Sequence, residues 1–221
     1  MFSWLEKNPF FFAVAVFLVI AYAGIIEILP DFAERARPVE GKKPYTTLQL
    51  AGRHVYIKDS CNACHSQLIR PFKSETDRYG MYSLSGEYAY DRPFLWGSKR
   101  TGPDLWRVGN YRTTDWHENH MLDPLSVVPG SIMPAYKHMF SNNADVETAY
   151  AEALTVKKVF NVPYDQENMP KLGSWDEAKK AAYAEAQEIV DSMKNQDVKD
   201  AFARGEIKEI VALIAYLNSL K

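Results

Sequence analysis

The chain has 221 residues, 47% of them hydrophobic, and a net charge of −2 at pH 7. Its mean hydropathy is nevertheless −0.32, and because many of the apolar residues lie in one block near the N-terminus, the rest of the chain must be distinctly polar. The slightly acidic balance argues against a nucleic-acid-binding protein, which normally carries a basic excess. A 24% content of charged residues with 13% aromatics excludes general disorder. Two cysteines are too few for a disulfide-rich scaffold.

The first predicted element is a membrane helix. From Phe10 to Ile26 the sequence carries no charged residue. Extended to Leu29, this segment spans about 30 Å as a helix, which is the thickness of a bilayer core. Pro9 suits the first turn of such a helix, and Pro30 is expected to end it.

Two other interpretations of this segment remain open, a buried helix of a soluble protein and a cleaved signal peptide. The tripeptide Ala21-Tyr22-Ala23 resembles an A-x-A cleavage site. The apolar run continues beyond that tripeptide, however, and Lys7 is the only basic residue before it, offset by Glu6. We therefore predict an uncleaved anchor over residues 1–36, followed by a second, mainly polar domain over residues 37–221.

Both cysteines lie in one C-x-x-C-H motif, Cys61-Asn62-Ala63-Cys64-His65. This spacing is typical of covalent c-type haem attachment, in which two thiols form thioethers and the adjacent imidazole reaches the iron. A thioredoxin-like dithiol would need a βαβ context, and a zinc site would need a second pair of ligands. We therefore predict one covalently attached haem c, bound through Cys61 and Cys64, with His65 as an iron ligand.

The haem motif also bears on the orientation of the membrane helix. The positive-inside rule compares Lys7 on one side with Arg35, Arg37, Lys42 and Lys43 on the other, and alone it would place the domain in the cytoplasm. Long domains translocate largely regardless of such counts. Because bacterial c-type haem is attached outside the cytoplasmic membrane, we expect a single-pass inner-membrane protein with its haem domain in the periplasm.

Met133 is the predicted sixth ligand of the haem iron. It lies in the loop VVPGSIMPAY between Pro129 and Pro134, and the two prolines stiffen the backbone around a weak thioether donor. His/Met ligation raises the potential above that of a bis-His haem and suits electron transfer. The other candidates are Met121 and Met139, followed by Met81, Met169, Met193, His54, His117, His120 and His138.

The segment Thr101-Gly102-Pro103-Asp104-Leu105 is the expected neighbour of His65. A ligating histidine is usually oriented through its second ring nitrogen, often by a backbone carbonyl. We therefore predict a hydrogen bond from His65 Nδ1 to the Pro103 carbonyl, and a haem contact by Leu105. The flanking basic residues Lys99, Arg100 and Arg107 are candidates for pairing with haem propionates, with a solvated basic patch as the alternative.

The expected fold is mainly α, a cytochrome c-type haem domain with one N-terminal transmembrane helix. A helix from Leu48 to Ser60 should present the cysteine motif, and three helices are predicted near the C-terminus. Their signals are a cap at Asn143 for a helix to Phe160, a capping box of Ser174 and Glu177 for a helix to Met193, and an apolar face of Ile207, Ile210, Val211, Ile214 and Leu217. That last helix is expected to cross the helix before the cysteine motif.

Two further segments have an expected position but no assigned chemistry. His117 and His120 lie one helical turn apart, and without a placed carboxylate they are expected to pack near the haem edge rather than to bind a metal. The aromatic-rich stretch from Arg70 to Trp96 either forms a docking surface or folds back over the haem. No catalytic residue is predicted.

Taken in order, the motifs CNACH, RPFKSETDRYG, YDRPFLWGSKRTGPDLWRVG, WHENH and SIMPAY resemble one family. It is the mono-haem subunit (subunit II) of the cbb3-type cytochrome c oxidases. The resemblance runs from the anchor to about Tyr164 and resumes loosely in the C-terminal helix, with a weak match from Gly173 to Asp200. Leu125 is a departure, because the family usually carries arginine there.

This resemblance implies a membrane-anchored subunit that passes electrons to the haem-copper catalytic subunit, with no oxygen-reducing centre of its own. The implied electron donor is a di-haem cytochrome c subunit or a soluble cytochrome c. The resemblance also implies a calcium ion at the subunit interface, for which Ser98 is the candidate ligand, and it matches His65 and Met133 to the axial ligands. The alternatives are the cytochrome subunit of nitric oxide reductase and a haem-based periplasmic sensor.

Overall fold

The computed structural model describes residues 3–33 and 37–221 and divides the chain into two compact units, Met1–Arg37 and Pro38–Lys221. In the first unit a short helix, α1 (Ser3–Glu6), precedes the long helix α2 (Pro9–Ala33). The segment Pro9–Pro30 has the length and hydropathy of a helix that crosses a membrane, and none of it is buried within the protein. This is compatible with the predicted single-pass anchor.

The prediction that Pro30 ends the helix is wrong, because α2 continues to Ala33. Proline has no N–H group, so Pro30 removes one hydrogen bond of the helical ladder, that to the carbonyl of Ile26. Apolar membrane helices tolerate such an interruption. The predicted position of Pro9 is confirmed, since it is the first residue of the helix.

The second unit is mainly α-helical, and its described residues contain no β-strand beyond an isolated bridge between Asn143 and Lys208. Short 3-10 turns connect some of the helices, at Ser85–Tyr88, Val108–Asn110 and Lys137–Phe140. The α-helices are α3 (Thr47–Lys58), α4 (Cys61–Cys64), α5 (Lys73–Tyr79), α6 (Thr114–Leu122), α7 (Pro124–Val127), α8 (Val146–Phe160), α9 (Trp175–Ser192), α10 (Gln196–Ala203) and α11 (Glu209–Ser219). The predicted mainly-α fold class is confirmed.

The C-terminal helix α11 is the centre of this unit. Every residue from Glu209 to Leu217 is buried, whereas the sequence pattern indicated burial of one face only. A helix that is apolar on all sides is stable only when neighbours surround it, and α11 contacts α3, α6 and α9. The prediction that it packs on α3 is confirmed.

The helices α3 and α11 approach closely at Gly52. A Cβ atom at this position would lie 2.9 Å from the Cβ of Tyr216, so only glycine fits without displacing α11. On either side of this contact Tyr45 and Tyr56 pack edge-on against Tyr216, with ring centroids 5.6 and 5.5 Å apart. This packing fixes the end of α3 from which the cysteine motif follows.

The boundaries of two predicted helices differ from expectation. The helix before the cysteine motif is Thr47–Lys58, two residues shorter at its C-terminal end than predicted, because Ser60 adopts a left-handed conformation with φ of 56°. Asp145, and not Asn143, caps α8 by accepting a hydrogen bond from the backbone N–H of Thr148 at 2.9 Å. The Asn143 side chain instead accepts one from Lys208.

The C-terminal region contains four helices where three were predicted. The capping box of Ser174 and Glu177 at the start of α9 is confirmed. The additional helix, α10, begins after Asn195, whose side chain accepts a hydrogen bond from the N–H of Val198 at 3.0 Å. With only eight residues, α10 is too short for its periodicity to stand out in the sequence.

Candidate haem-binding site

The C-x-x-C-H motif forms one tight helical turn at the edge of a large cleft. The left-handed Ser60 turns the chain after α3, and α4 then carries both cysteines, with the N–H of His65 bound to the Cys61 carbonyl at 2.9 Å. Cys61 is buried and Cys64 is exposed. Both cysteines and the His65 ring line the same cleft.

Burial raises the pKa of the Cys61 thiol to about 12, so this residue is a neutral thiol at physiological pH. A dithiol oxidoreductase depends on a cysteine of lowered pKa. Cys61 therefore lacks the lowered pKa on which a redox-active dithiol depends, while a neutral thiol is compatible with thioether formation.

The His65 ring is oriented as the sequence predicts. Its Nδ1–H donates to the Pro103 carbonyl at 2.8 Å, which leaves Nε2 free of that contact. Burial lowers the pKa of His65, so the neutral imidazole, the form that binds metals, is favoured. The ring is thus held in one tautomer, as is usual for a histidine on iron.

The segment after Arg100 is held against the motif by backbone and side-chain hydrogen bonds. Gly102 N–H donates to the Cys64 carbonyl at 2.9 Å, and Leu105 N–H donates to the Ser66 carbonyl at 2.9 Å. Asp104 is buried and accepts from the hydroxyl of Ser66 at 2.6 Å. These bonds fix the Pro103 carbonyl beside His65, and Leu105 lines the cleft.

Gly102 leaves the space that the His65 ring occupies. A Cβ atom there would lie 2.7 Å from Nδ1 and 2.8 Å from Nε2 of His65. We expect Gly102→Ala to displace the ring and to weaken the low-spin spectrum of the haem-loaded protein, as measured by absorption spectroscopy. Gly24→Ala, where nothing lies within 4 Å of the added atom, is the control. An unchanged spectrum in Gly102→Ala would show that the ring position is not critical.

The cleft has a volume of about 900 Å³, within the range of about 300 to 1,000 Å³ that is usual for cofactor and ligand sites. Its lining comes from helices α3, α4, α5, α6 and α11, from the stretch 101–112 and from the loop that precedes the turn at Lys137–Phe140. The apolar lining residues include Leu105, Val108, Met121, Val128, Ile132, Met133, Pro134, Leu213 and Leu217. A large, mainly apolar cleft with two thiols and an oriented imidazole fits a haem.

Only two of the methionines considered as the sixth ligand line this cleft, Met133 and Met121. Met133 is partly buried in its proline-bounded loop, and Met121 is buried on α6. Met139 and Met193 belong to the core, and Met81 is exposed elsewhere. The structure therefore keeps Met133 and Met121 as candidates and excludes the core residue Met139 from the lining.

Two of the candidate histidines line the cleft and two lie outside it. His117 and His120 line the cleft from α6, in keeping with the expectation that they pack near the haem edge. His120 stacks on Trp116 with ring centroids 4.4 Å apart. His54 pairs with Glu152 outside the cleft, and His138 pairs with Asp59 at 3.1 Å.

The arginines predicted to pair with propionates have other partners. The Arg100 guanidinium donates to the Glu75 carboxylate at 2.7 Å, and Arg107 donates to Glu87 at 2.6 Å. Neither arginine lines the cleft, and Lys99 is exposed outside it. Sequence reasoning missed two arginines that do line it, Arg78 and Arg112, because neither adjoins a recognisable haem motif.

The ion pair of Glu75 and Arg100 makes the stability of this region pH-dependent. The Arg100 hydrogen bond is the main cause that lowers the pKa of Glu75 to about 2. A lowered carboxyl pKa contributes stability above the ordinary value of about 4.5, and this contribution is lost as the pH falls toward 2. We expect Glu75→Gln to lower the thermal unfolding midpoint at pH 7, with a difference from the wild type that shrinks below pH 4. The exposed Glu167→Gln is the control, and a pH-independent difference would contradict the assignment.

The aromatic stretch from Arg70 to Trp96 contributes to the cleft wall, and its role as a docking surface stays a prediction. Its helix α5 contributes Tyr79 to the cleft wall. Phe94 and Trp96 stack at 4.4 Å and remain partly exposed on the surface. The segment is therefore both a cover for the cleft and an exposed aromatic surface.

Ser98 is exposed and lies outside the cleft. Calcium takes about six to eight oxygen ligands. The metal-ligand cluster found among the described residues is that of Asp59, His138 and Glu209, which is separate from Ser98. The calcium ligand assigned to Ser98 therefore stays a prediction.

The domain is helical, and the oriented histidine of its C-x-x-C-H motif lines an apolar cleft. These features define the class of this protein as a cytochrome c-type domain. The family model for the mono-haem subunit of cytochrome c oxidase (FixO) matches residues 2–221. The chain therefore belongs to this family, which confirms the resemblance to the mono-haem subunit of the cbb3-type oxidases. The matched residues include the region from Gly173 to Asp200, where the sequence resembles the family only weakly. A search of curated protein sequences gave no match.

Proposed function

We propose that this chain is the periplasmic electron-transfer subunit of a cbb3-type terminal oxidase, with one haem c attached covalently through Cys61 and Cys64. The observation that carries the proposal is the convergence of both thiols and the oriented His65 on one cleft in a member of the oxidase mono-haem family. A bound haem supplies reversible one-electron chemistry between ferric and ferrous iron.

The residues of the chain act by binding and orienting. Cys61 and Cys64 would hold the haem through thioethers, and Pro103 fixes the tautomer of the ligand His65. Met133 would supply the sixth ligand, so that the iron has no open position for oxygen. The apolar walls exclude water and favour the less charged, reduced state, which raises the reduction potential.

The proposed path of electrons begins at a di-haem cytochrome c subunit or a soluble cytochrome c and ends at the haem-copper catalytic subunit. The helix Pro9–Pro30 would hold the haem domain at the periplasmic face of the inner membrane. Within such a complex, a calcium ion at Ser98 would lie at the contact with the catalytic subunit.

A mild-detergent purification of the tagged full-length chain from membranes tests this function, with metal analysis and absorption spectra of the eluate. Copper and high-spin b haem together with haem c are the expected result. A complex with b haem and non-haem iron but no copper would instead indicate a nitric oxide reductase. A lone c haem with an open iron position would favour a sensor and overturn the proposal.

A further inference from the structure

One part of the cleft wall carries positive charge without a compensating carboxylate. Among the described lining residues there are two arginines, Arg78 and Arg112, and no aspartate or glutamate. This differs from the surroundings of Arg100 and Arg107, whose guanidinium groups are each bound to a glutamate. A cleft of this kind is suited to a ligand that itself carries carboxylate groups.

Aromatic rings hold the Arg112 side chain at the cleft. Its guanidinium lies 4.2 Å from the ring centroid of Trp116 and 5.6 Å from that of Tyr111. Arg78 lies 5.0 Å over the ring of Tyr79. Cation–π contacts orient a guanidinium through its face. Its N–H groups, which point outward in the guanidinium plane, stay free to donate. Both arginines thus present donors toward the cleft without an ion pair in the described residues.

His117 adds a buried donor at the same place. It is only 1% exposed, it lines the cleft, and neither of its ring nitrogens has a hydrogen-bond partner. A neutral imidazole carries one N–H, and leaving that group buried and unpaired is energetically unfavourable. The fold therefore leaves the ring N–H of His117 without a hydrogen-bond acceptor among the described residues.

These groups lie near one another. Burial is the main influence on the pKa of both rings, raising that of Tyr111 and lowering that of His117; the positive charge of Arg112 lowers both, and Arg78 acts on Tyr111 in the same direction. Tyr111 lines the same cleft as both arginines, and its ring lies 5.6 Å from the Arg112 guanidinium. Helix α5, the loop before α6 and α6 itself thus contribute to one group of cleft residues. We call this group the cationic cluster; its members are Arg78, Tyr111, Arg112 and His117.

We propose that this cationic cluster binds the propionate carboxylates of the haem, with Arg112, Arg78 and the His117 ring as hydrogen-bond donors. The proposal rests on the proposed haem function and replaces Arg100 and Arg107 as propionate partners. In this role the cluster neutralises the cofactor carboxylates inside the cleft and favours the ferrous state, since a nearby positive charge disfavours ferric iron.

The test uses full-length protein produced with haem whose propionate carboxyl carbons are labelled with ¹³C. Redox-difference infrared spectra then identify the carboxylate bands by their isotope shift. We expect Arg112→Gln, Arg78→Gln and His117→Phe each to shift the labelled bands, and Arg112→Lys to shift them less than Arg112→Gln. Lys137→Gln removes an exposed positive charge next to the lining residue Tyr136 and should leave the bands unchanged.

A potentiometric titration gives a second readout. With the guanidinium of Arg112 removed, the potential should fall at pH 7 and should become pH-dependent, rising as the pH falls and the released propionate is protonated. Labelled bands that stay unchanged in Arg112→Gln, Arg78→Gln and His117→Phe, while haem c is present, would overturn the cluster assignment and indicate that His117 is satisfied by water. Protein purified without any haem c would overturn the proposed function itself, and this inference with it.

Discussion

The double variant Cys61→Ser/Cys64→Ser is expected to lose all covalently bound haem. The two thiols are the chain's only cysteines, and they lie on one helical turn at the cleft. Serine preserves the shape of that turn but cannot form a thioether. Haem staining after denaturing electrophoresis should therefore be positive for the wild type and negative for the double variant.

Asn62→Ser is the matched control for this experiment, because it changes the same turn and keeps both thiols. It should retain stained haem at the wild-type level. Each single cysteine variant should keep one thioether and show a shifted α-band in the reduced spectrum. Haem that survives denaturation in the double variant would refute covalent attachment at this motif.

The second large effect concerns Met133, the proposed second ligand of the haem iron. Met133→Ala is expected to open the iron and to lower the reduction potential, because a thioether stabilises ferrous iron relative to the water or other ligand that replaces it. Axial ligands contribute to a range of haem potentials of about 0.8 V, so we expect a decrease on the order of 0.1 V. The sulfur-to-iron charge-transfer band of the oxidised protein should disappear.

Variants of two other methionines distinguish the loss of an iron ligand from the loss of packing in the core. Met139→Ala empties a fully buried core position outside the cleft and should cost about 2 to 5 kcal/mol of stability while the charge-transfer band persists. Met121 lines the cleft like Met133. If the band were lost in Met121→Ala and kept in Met133→Ala, Met121 would be the ligand and the assignment of Met133 would be wrong.

The helix signals in the sequence were accurate where they were local. The capping box at Ser174 and Glu177 and the apolar content of α11 both depend on residues a few positions apart. The error at Asn143 occurred because a competing contact decided the outcome. Asn143 has the right chemistry for a cap, but Lys208 binds its side chain and Asp145 takes the capping role.

The electrostatics of the site could not be predicted in the same way. Arg100 and Arg107 flank the predicted haem segment, but their partners Glu75 and Glu87 lie 25 and 20 residues away in sequence. Nothing in the spacing of Arg112 identifies it as a cleft residue. Its position depends on Trp116 and on the packing of α6 against α11.

The sequence by itself determined the long apolar segment, the C-x-x-C-H motif and the family, because each of these depends on residues that are contiguous or in fixed order along the chain. The uneven distribution of apolar residues has its cause in the segment Pro9–Pro30. Only the tertiary structure decided which methionines and histidines reach the cleft and which arginines remain unpaired there. Those properties arise when helices distant in sequence pack around α11, and a side chain's neighbours, not its sequence context, set its exposure and its free hydrogen bonds.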